Sequence, residues 1–103
     1  MTRFELGDII KISDYMNRRF VIVSKNAFIR AAGVFHVVPL RNNIDEGPLH
    51  IHINGKKDES GIVLCEQIKL IDPSVRNCYK LDSLVYEDIM NVSDAIQGIF
   101  EYD

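Results

Sequence analysis

Gly61-Ile62-Val63-Leu64-Cys65-Glu66-Gln67-Ile68-Lys69-Leu70-Ile71-Asp72 is the stretch that decides the fold. Its first half is a continuous apolar run of strand-forming residues, as expected of a strand buried on both faces. Pro73 follows and cannot donate a ladder hydrogen bond, so the strand is expected to end at Asp72. Glu66 and Gln67 interrupt the run side by side. Two polar side chains there imply either a bulge with satisfied amides or the floor of a binding groove.

Working outward, the remaining short apolar runs read as further strands. Gly7 to Ile12 turns into a first strand, with Ile10 and Ile12 on one face and Ile9 and Lys11 on the other. Ser13 to Asn17 is polar enough for a loop. Arg18-Arg19 lead into Phe20-Val21-Ile22-Val23, expected as a central strand. Lys25 to Ala32 forms a connector with a helical turn, ended by Gly33. Val34 to Leu40 is the third strand, and Pro39 places its end near a sheet edge or bulge. Leu49-His50-Ile51-His52-Ile53 alternates strictly, so the aliphatic residues should face the core and both histidines the outside. Asn54-Gly55 signals a turn. A short strand is expected within residues 74–79.

The last element reads as a helix capped by Asp82 or Ser83, with Leu84, Ile89, Val92, Ala95, Ile96 and Ile99 near one stripe. Several short strands followed by one terminal helix favour a small curved antiparallel sheet or partly open barrel with the helix packed on it.

A chain of 103 residues with 47% hydrophobic and 26% charged residues is a single globular domain. No apolar run approaches the ~20 residues that span a bilayer, and Met1 to Glu5 lack the apolar core of a signal peptide. Cys65 and Cys78 form neither a metal-binding spacing nor a redox motif, which points to a reduced, cytoplasmic protein. The net charge of −3 argues against an indiscriminate nucleic-acid binder. The charge is uneven, however. Residues 1–60 carry nine Lys/Arg against seven Asp/Glu, and residues 61–103 carry three against eight.

In order along the chain stand Gly7-Asp8, Arg18-Arg19-Phe20-Val21-Ile22-Val23, Val37-Val38-Pro39-Leu40, the Glu66 to Asp72 run, and Leu81-Asp82 opening the last helix. In this arrangement the chain resembles the MazF/PemK family of bacterial toxins, the ribonucleases of type II toxin–antitoxin pairs. The resemblance implies a small SH3-like antiparallel β-barrel of the CcdB/Kid/MazF kind, mainly β with a C-terminal α-helix. It also implies a homodimer, a cognate antitoxin, no cofactor and no membrane. The implied activity is sequence-specific, metal-independent cleavage of single-stranded RNA. In that chemistry the ribose 2′-OH attacks the adjacent phosphate and leaves a cyclic phosphate.

The family pairs an Arg at the start of the second strand with a Thr or Ser just after the third. Arg18 matches the first position, and Arg41 stands at the second. Arg18 and Arg41 are therefore the candidate catalytic residues. A guanidinium keeps its charge and matches phosphate geometry, but it does not transfer protons. Arg19, Asn42, Glu66, Gln67 and Lys69 are the candidate RNA contacts, with Gln67 suited to a base edge. Ser13 and Ser24 could supply a hydroxyl if the fold brings them close. Tyr15 and Phe28 are candidate stacking groups. His50 and His52, two apart on one strand face, suit proton transfer or metal ligation, whereas His36 reads as a core residue. The departure at Arg41 leaves a second reading open: a barrel module that binds RNA or a protein target, such as gyrase, without cleaving.

Overall fold

The computed structural model describes residues 3–101. It contains β1 (Asp8–Ile12), β2 (Arg18–Ile22), α1 (Asn26–Ala32), β3 (Phe35–Arg41), β4 (His50–Asn54), β5 (Ser60–Leu64), β6 (Lys69–Ile71), β7 (Cys78–Ser83) and α2 (Tyr86–Ile99). The strands form one antiparallel sheet in the order β4-β5-β3-β2-β1-β7, and β6 pairs separately with β3. Arg18 to Ile22 do form a central strand, and Gly33 ends α1 in the left-handed region at φ 73°.

Both sheet faces are covered, which is why β1 and β3 are apolar at nearly every position. On one face Ile9, Val21, Val38, Leu40, Ile53, Val63 and Cys65 are buried with Leu84 and with Val92 of α2. On the other, Ile10, Ile12, Phe20, Ile22, Phe35, Val37 and Ile71 form a second cluster, closed over by Phe4, Tyr15 and Ile29. The split of Ile9 from Ile10 and Ile12 follows the alternation read from the sequence.

The sheet does not close into a barrel. Among the described residues its edge strands β4 and β7 share no ladder; the chain beyond them is joined by an isolated bridge between Gly55 and Leu84 and by Lys56 N–H donating to the Ser83 carbonyl at 2.8 Å. The fold is thus a coiled antiparallel sheet with one long terminal helix, and the barrel closure implied by the family resemblance is corrected to an open edge.

The deciding stretch is broken rather than continuous. β5 pairs with the end of β3 through Leu40–Val63 and Arg41–Ile62. β6 pairs with the beginning of β3 through Phe35–Ile71, His36–Leu70 and Val37–Lys69. Between them the chain turns, and Gln67 N–H donates to the Leu64 carbonyl at 3.1 Å. Glu66 and Gln67 sit on the outside of that turn, exposed. Pro39 does not end its strand. It pairs with Phe20 of β2 and, on the other side, falls in the gap between β5 and β6, where no N–H is required.

The start of the last helix is also corrected. Leu81 and Asp82 belong to β7, and α2 begins at Tyr86 with Val85 as an N-cap that makes no side-chain bond. Asp82 has a different task. The β1–β7 register shifts between Ile9–Asp82 and Ile10–Lys80, and this bulge turns the Asp82 side chain inward. There its carboxylate accepts from Lys57 N–H at 3.1 Å, Glu59 N–H at 3.2 Å and Ser83 N–H at 2.8 Å. The loop after β4 is thereby tied to β7. Burial disfavours the Asp82 charge, but the amides of Ser83, Glu59 and Lys57 outweigh it and hold the carboxyl below its usual range. The expected strand at residues 74–79 is shifted to Cys78–Ser83. Residues 74–76 turn instead over Asp72, which accepts from Ser74 N–H at 2.9 Å.

Candidate functional site

Arg18 opens β2 and Arg41 closes β3, so both lie at one end of the sheet. Arg19 pairs with Leu40, and one register step further sets Arg18 across from Arg41 on the same face. Together with Asn17, Arg19, Leu40 and Asn42 they line an open cleft of about 340 Å³. The cleft is presented by an unusual connection. After the 3-10 turn Ser13–Tyr15, both Met16 and Asn17 are left-handed, at φ 59° and 57°. Met16 tolerates this poorly and is 75% exposed. Its conformation had no signal in the sequence, although Asn17 is a residue type that adopts it readily.

The three arginines are not equivalent. Arg19 is pinned: its guanidinium donates to Glu59 Oε1 at 2.8 Å, to the Ser60 carbonyl at 3.0 Å and to Asn42 Oδ1 at 3.2 Å. Glu59 is itself positioned by the Asp82 loop. Arg18 and Arg41, in contrast, have no carboxylate within ion-pair distance among the described residues. Burial, then the charges of Arg18 and Arg19, push the Arg41 pKa down. A guanidinium still stays protonated at neutral pH. Like charges set across two strands repel, so this end of the sheet carries an unmet demand for an anion.

The remaining predicted residues are distributed. Glu66 lines a second cleft, also about 340 Å³, with Gly47, Pro48, Leu49 and His50. The two clefts share no lining residue. His50 Nε2 lies 3.2 Å from Glu66 Oε2. Gln67 is exposed in the turn, and exposed Lys69 places its ammonium over the Tyr15 ring at 5.6 Å from the centroid. Tyr15 is half-buried and packs on Phe20, with ring centroids 5.9 Å apart. Phe28 lies against His36 at 5.3 Å.

His36 is not a core residue. It is half-buried, with Nδ1 2.8 Å from Ser24 Oγ. Ser24 is thereby occupied, and at about 3.4 Å of rise per residue it lies some 20 Å along the chain from Arg18. Ser13 directly follows Ile12, the register partner of Arg18. His52 is exposed on the outward face, as expected from the alternation. Among the described residues no three His, Cys, Asp or Glu side chains are grouped to hold a metal ion. Cys65 and Cys78 are both free, and burial pushes the Cys65 thiol up to about 11. Among the described residues no helix is long and apolar enough to cross a membrane.

Comparison with known proteins places this geometry. No curated protein matches the chain by sequence. Among solved structures, MazE–MazF from Deinococcus radiodurans (Form-I) superimposes with a TM-score of 0.84 at 15% identity, over 96% of this chain and 97% of that one. An endoribonuclease in complex with its cognate antitoxin, from a mycobacterial species, gives 0.82 at 15% identity over 98% and 100%. The Mycobacterium tuberculosis toxin MazF-mt6 gives 0.73 at 15% identity over 93% and 98%. At these identities the superpositions speak for the fold. The family model described as PemK-like, MazF-like toxin of type II toxin–antitoxin system matches residues 10–100, and the chain belongs to that family.

Proposed function

We propose that this chain is a toxin endoribonuclease that cleaves single-stranded RNA by 2′-OH transesterification without a metal ion. It acts in the cytoplasm as a homodimer held in check by a cognate antitoxin protein. The observation that carries the reading is the Arg18–Arg41 pair: two arginines lining one cleft at the sheet end, neither with a carboxylate within ion-pair distance among the described residues. A phosphodiester bridging them would relieve their repulsion. The phosphorane formed when the 2′-oxygen attacks carries more negative charge than the ground state, so both cations favour it. Arg19 is committed to Glu59 and Asn42, and its part is to hold the cleft wall against which the RNA backbone lies. Glu66, Gln67 and Lys69 contact the RNA further along.

The cleft has no lining side chain that titrates near neutral pH, and Arg41 stands where the family resemblance implies a Thr or Ser. Acceleration then comes from charge stabilisation: the 2′-OH proton passes to solvent as the 2′-oxygen–phosphorus bond forms, and the departing 5′-oxygen takes a proton from solvent as its bond to phosphorus breaks. Cleavage of a mixed-sequence single-stranded RNA in EDTA is expected to give discrete fragments, at a rate that rises with pH between about 6 and 8. Absence of cleavage at any stoichiometry rejects the reading. Retained RNA binding without cleavage would support the second reading, a binding module, which the departure at Arg41 from the implied Thr or Ser favours.

A further inference from the structure

One sheet face carries a stripe that the arginine cleft does not account for. Ile62 pairs with Arg41 on one side and with His52 on the other, and Leu64 pairs with His50. Directly paired residues project from the same face. Arg18 on β2, Arg41 on β3, Ile62 on β5, and His52 and His50 on β4 therefore follow one another across this face. Two inter-strand spacings and two residues of rise separate Arg41 from His50, about 12 Å. At that point stands the second cleft.

It is an open cleft with an apolar side and a polar side. Pro48 and Leu49 form an apolar wall. The wall is fixed by reciprocal backbone bonds between Gly47 and His50, each 3.1 Å, and by Cys65 N–H donating to the Leu49 carbonyl at 2.9 Å. The polar side is a carboxylate. Glu66 accepts only, on about four lone-pair sites, and the His50 ring engages one oxygen at 3.2 Å. A carboxylate best matches a base edge with two adjacent donors. Guanine has that edge in its N1–H and N2 amino group, whereas adenine, cytosine and uracil each offer a single donor position there.

We infer that the His50–Glu66 cleft is a base-reading subsite that takes a guanine of the RNA strand, close to but not at the phosphate held by Arg18 and Arg41. The inference rests on the RNA-cleavage reading above and adds the base that the toxin reads. Gln67 lies next in the chain, outside this pocket.

The test uses short, uncleavable 2′-O-methyl oligouridylates carrying one central guanosine, inosine or adenosine. Binding to the full chain is followed by fluorescence anisotropy. Inosine differs from guanosine only by the N2 amino group. The guanosine oligomer is expected to bind about tenfold more tightly than the inosine oligomer, and Glu66→Gln should abolish that difference with an unchanged circular dichroism spectrum. Equal binding of all three oligomers by a protein that cleaves mixed RNA would overturn the subsite and leave the ribonuclease reading intact. Failure of both cleavage and oligomer binding would overturn both. Discrimination that survives Glu66→Gln would place the guanine elsewhere.

Discussion

Arg18→Ala is expected to lower the rate of RNA cleavage about 10²- to 10³-fold, the range found when one preorganised donor to a developing anion is removed. Several observations set the size. Arg18 is exposed and makes no ion pair among the described residues, so its charge is free for the substrate. It stands across from Arg41 at the sheet end, where a phosphate can meet both. Removing it also removes a repulsive neighbour of Arg41, so the folded state loses nothing. The thermal midpoint should stay constant or rise slightly. Arg18→Lys should recover only part of the activity, because an ammonium keeps the charge but lacks the planar fork. Single-turnover cleavage of a labelled RNA, with thermal melts of the same samples, measures both quantities. A variant that cleaves like the native chain would remove Arg18 from the chemistry.

Asp82→Ala is expected to be the most destabilising polar substitution, at about 2–4 kcal/mol. The residue is 2% exposed, and its carboxylate accepts from three backbone amides. Each amide left without a partner costs roughly 1–3 kcal/mol when water cannot reach it, and the loop can open to rehydrate some of them. For a domain of this size that lowers the melting temperature by about 10–25 °C. Gly55→Ala should reach the same contact from the other side, because a Cβ there would collide with the Asp82 carboxylate. The sign of the acid effect follows from the lowered Asp82 pKa. Its contribution is fully present above the unfolded carboxyl pKa of about 3.9 and is lost as pH falls through the lower folded value. Asp8 acts in the opposite sense, since burial raises its pKa, and its contribution weakens as pH rises through the folded value. Melts of the native chain and Asp82→Ala between pH 2 and 7 should therefore converge at the acid end. Asp82 also fixes the loop that sets Glu59 against Arg19, so the variant should lose activity even below its melting temperature.

What could be read from the residues alone was what period and composition determine. The alternating Leu49 to Ile53, the central strand after Arg18-Arg19 and the left-handed Gly33 all stand as expected, because each is a local consequence of side-chain type. What could not be read depends on pairing partners far away in sequence. The 61–72 run splits because β3 offers one pairing edge to two short strands. Its polar pair marks the turn between them. Asp82 looks like a helix cap until the β7 bulge turns it inward. At the site, Arg18 and Arg41 meet through strand register. Glu66 and His50 meet because β4 and β5 are partners, a pairing that the paired histidines alone do not reveal.

The most direct test of metal-free attack by the 2′-oxygen beside the two arginines is product analysis on matched RNA substrates. One is all-ribose, and the other carries a single 2′-deoxynucleotide at the cleaved position, with EDTA present throughout. The account predicts fragments ending in a 2′,3′-cyclic phosphate from the first and an uncut second substrate. Cleavage of the deoxy-substituted strand at that position, or fragments with 5′-phosphate ends, would contradict it.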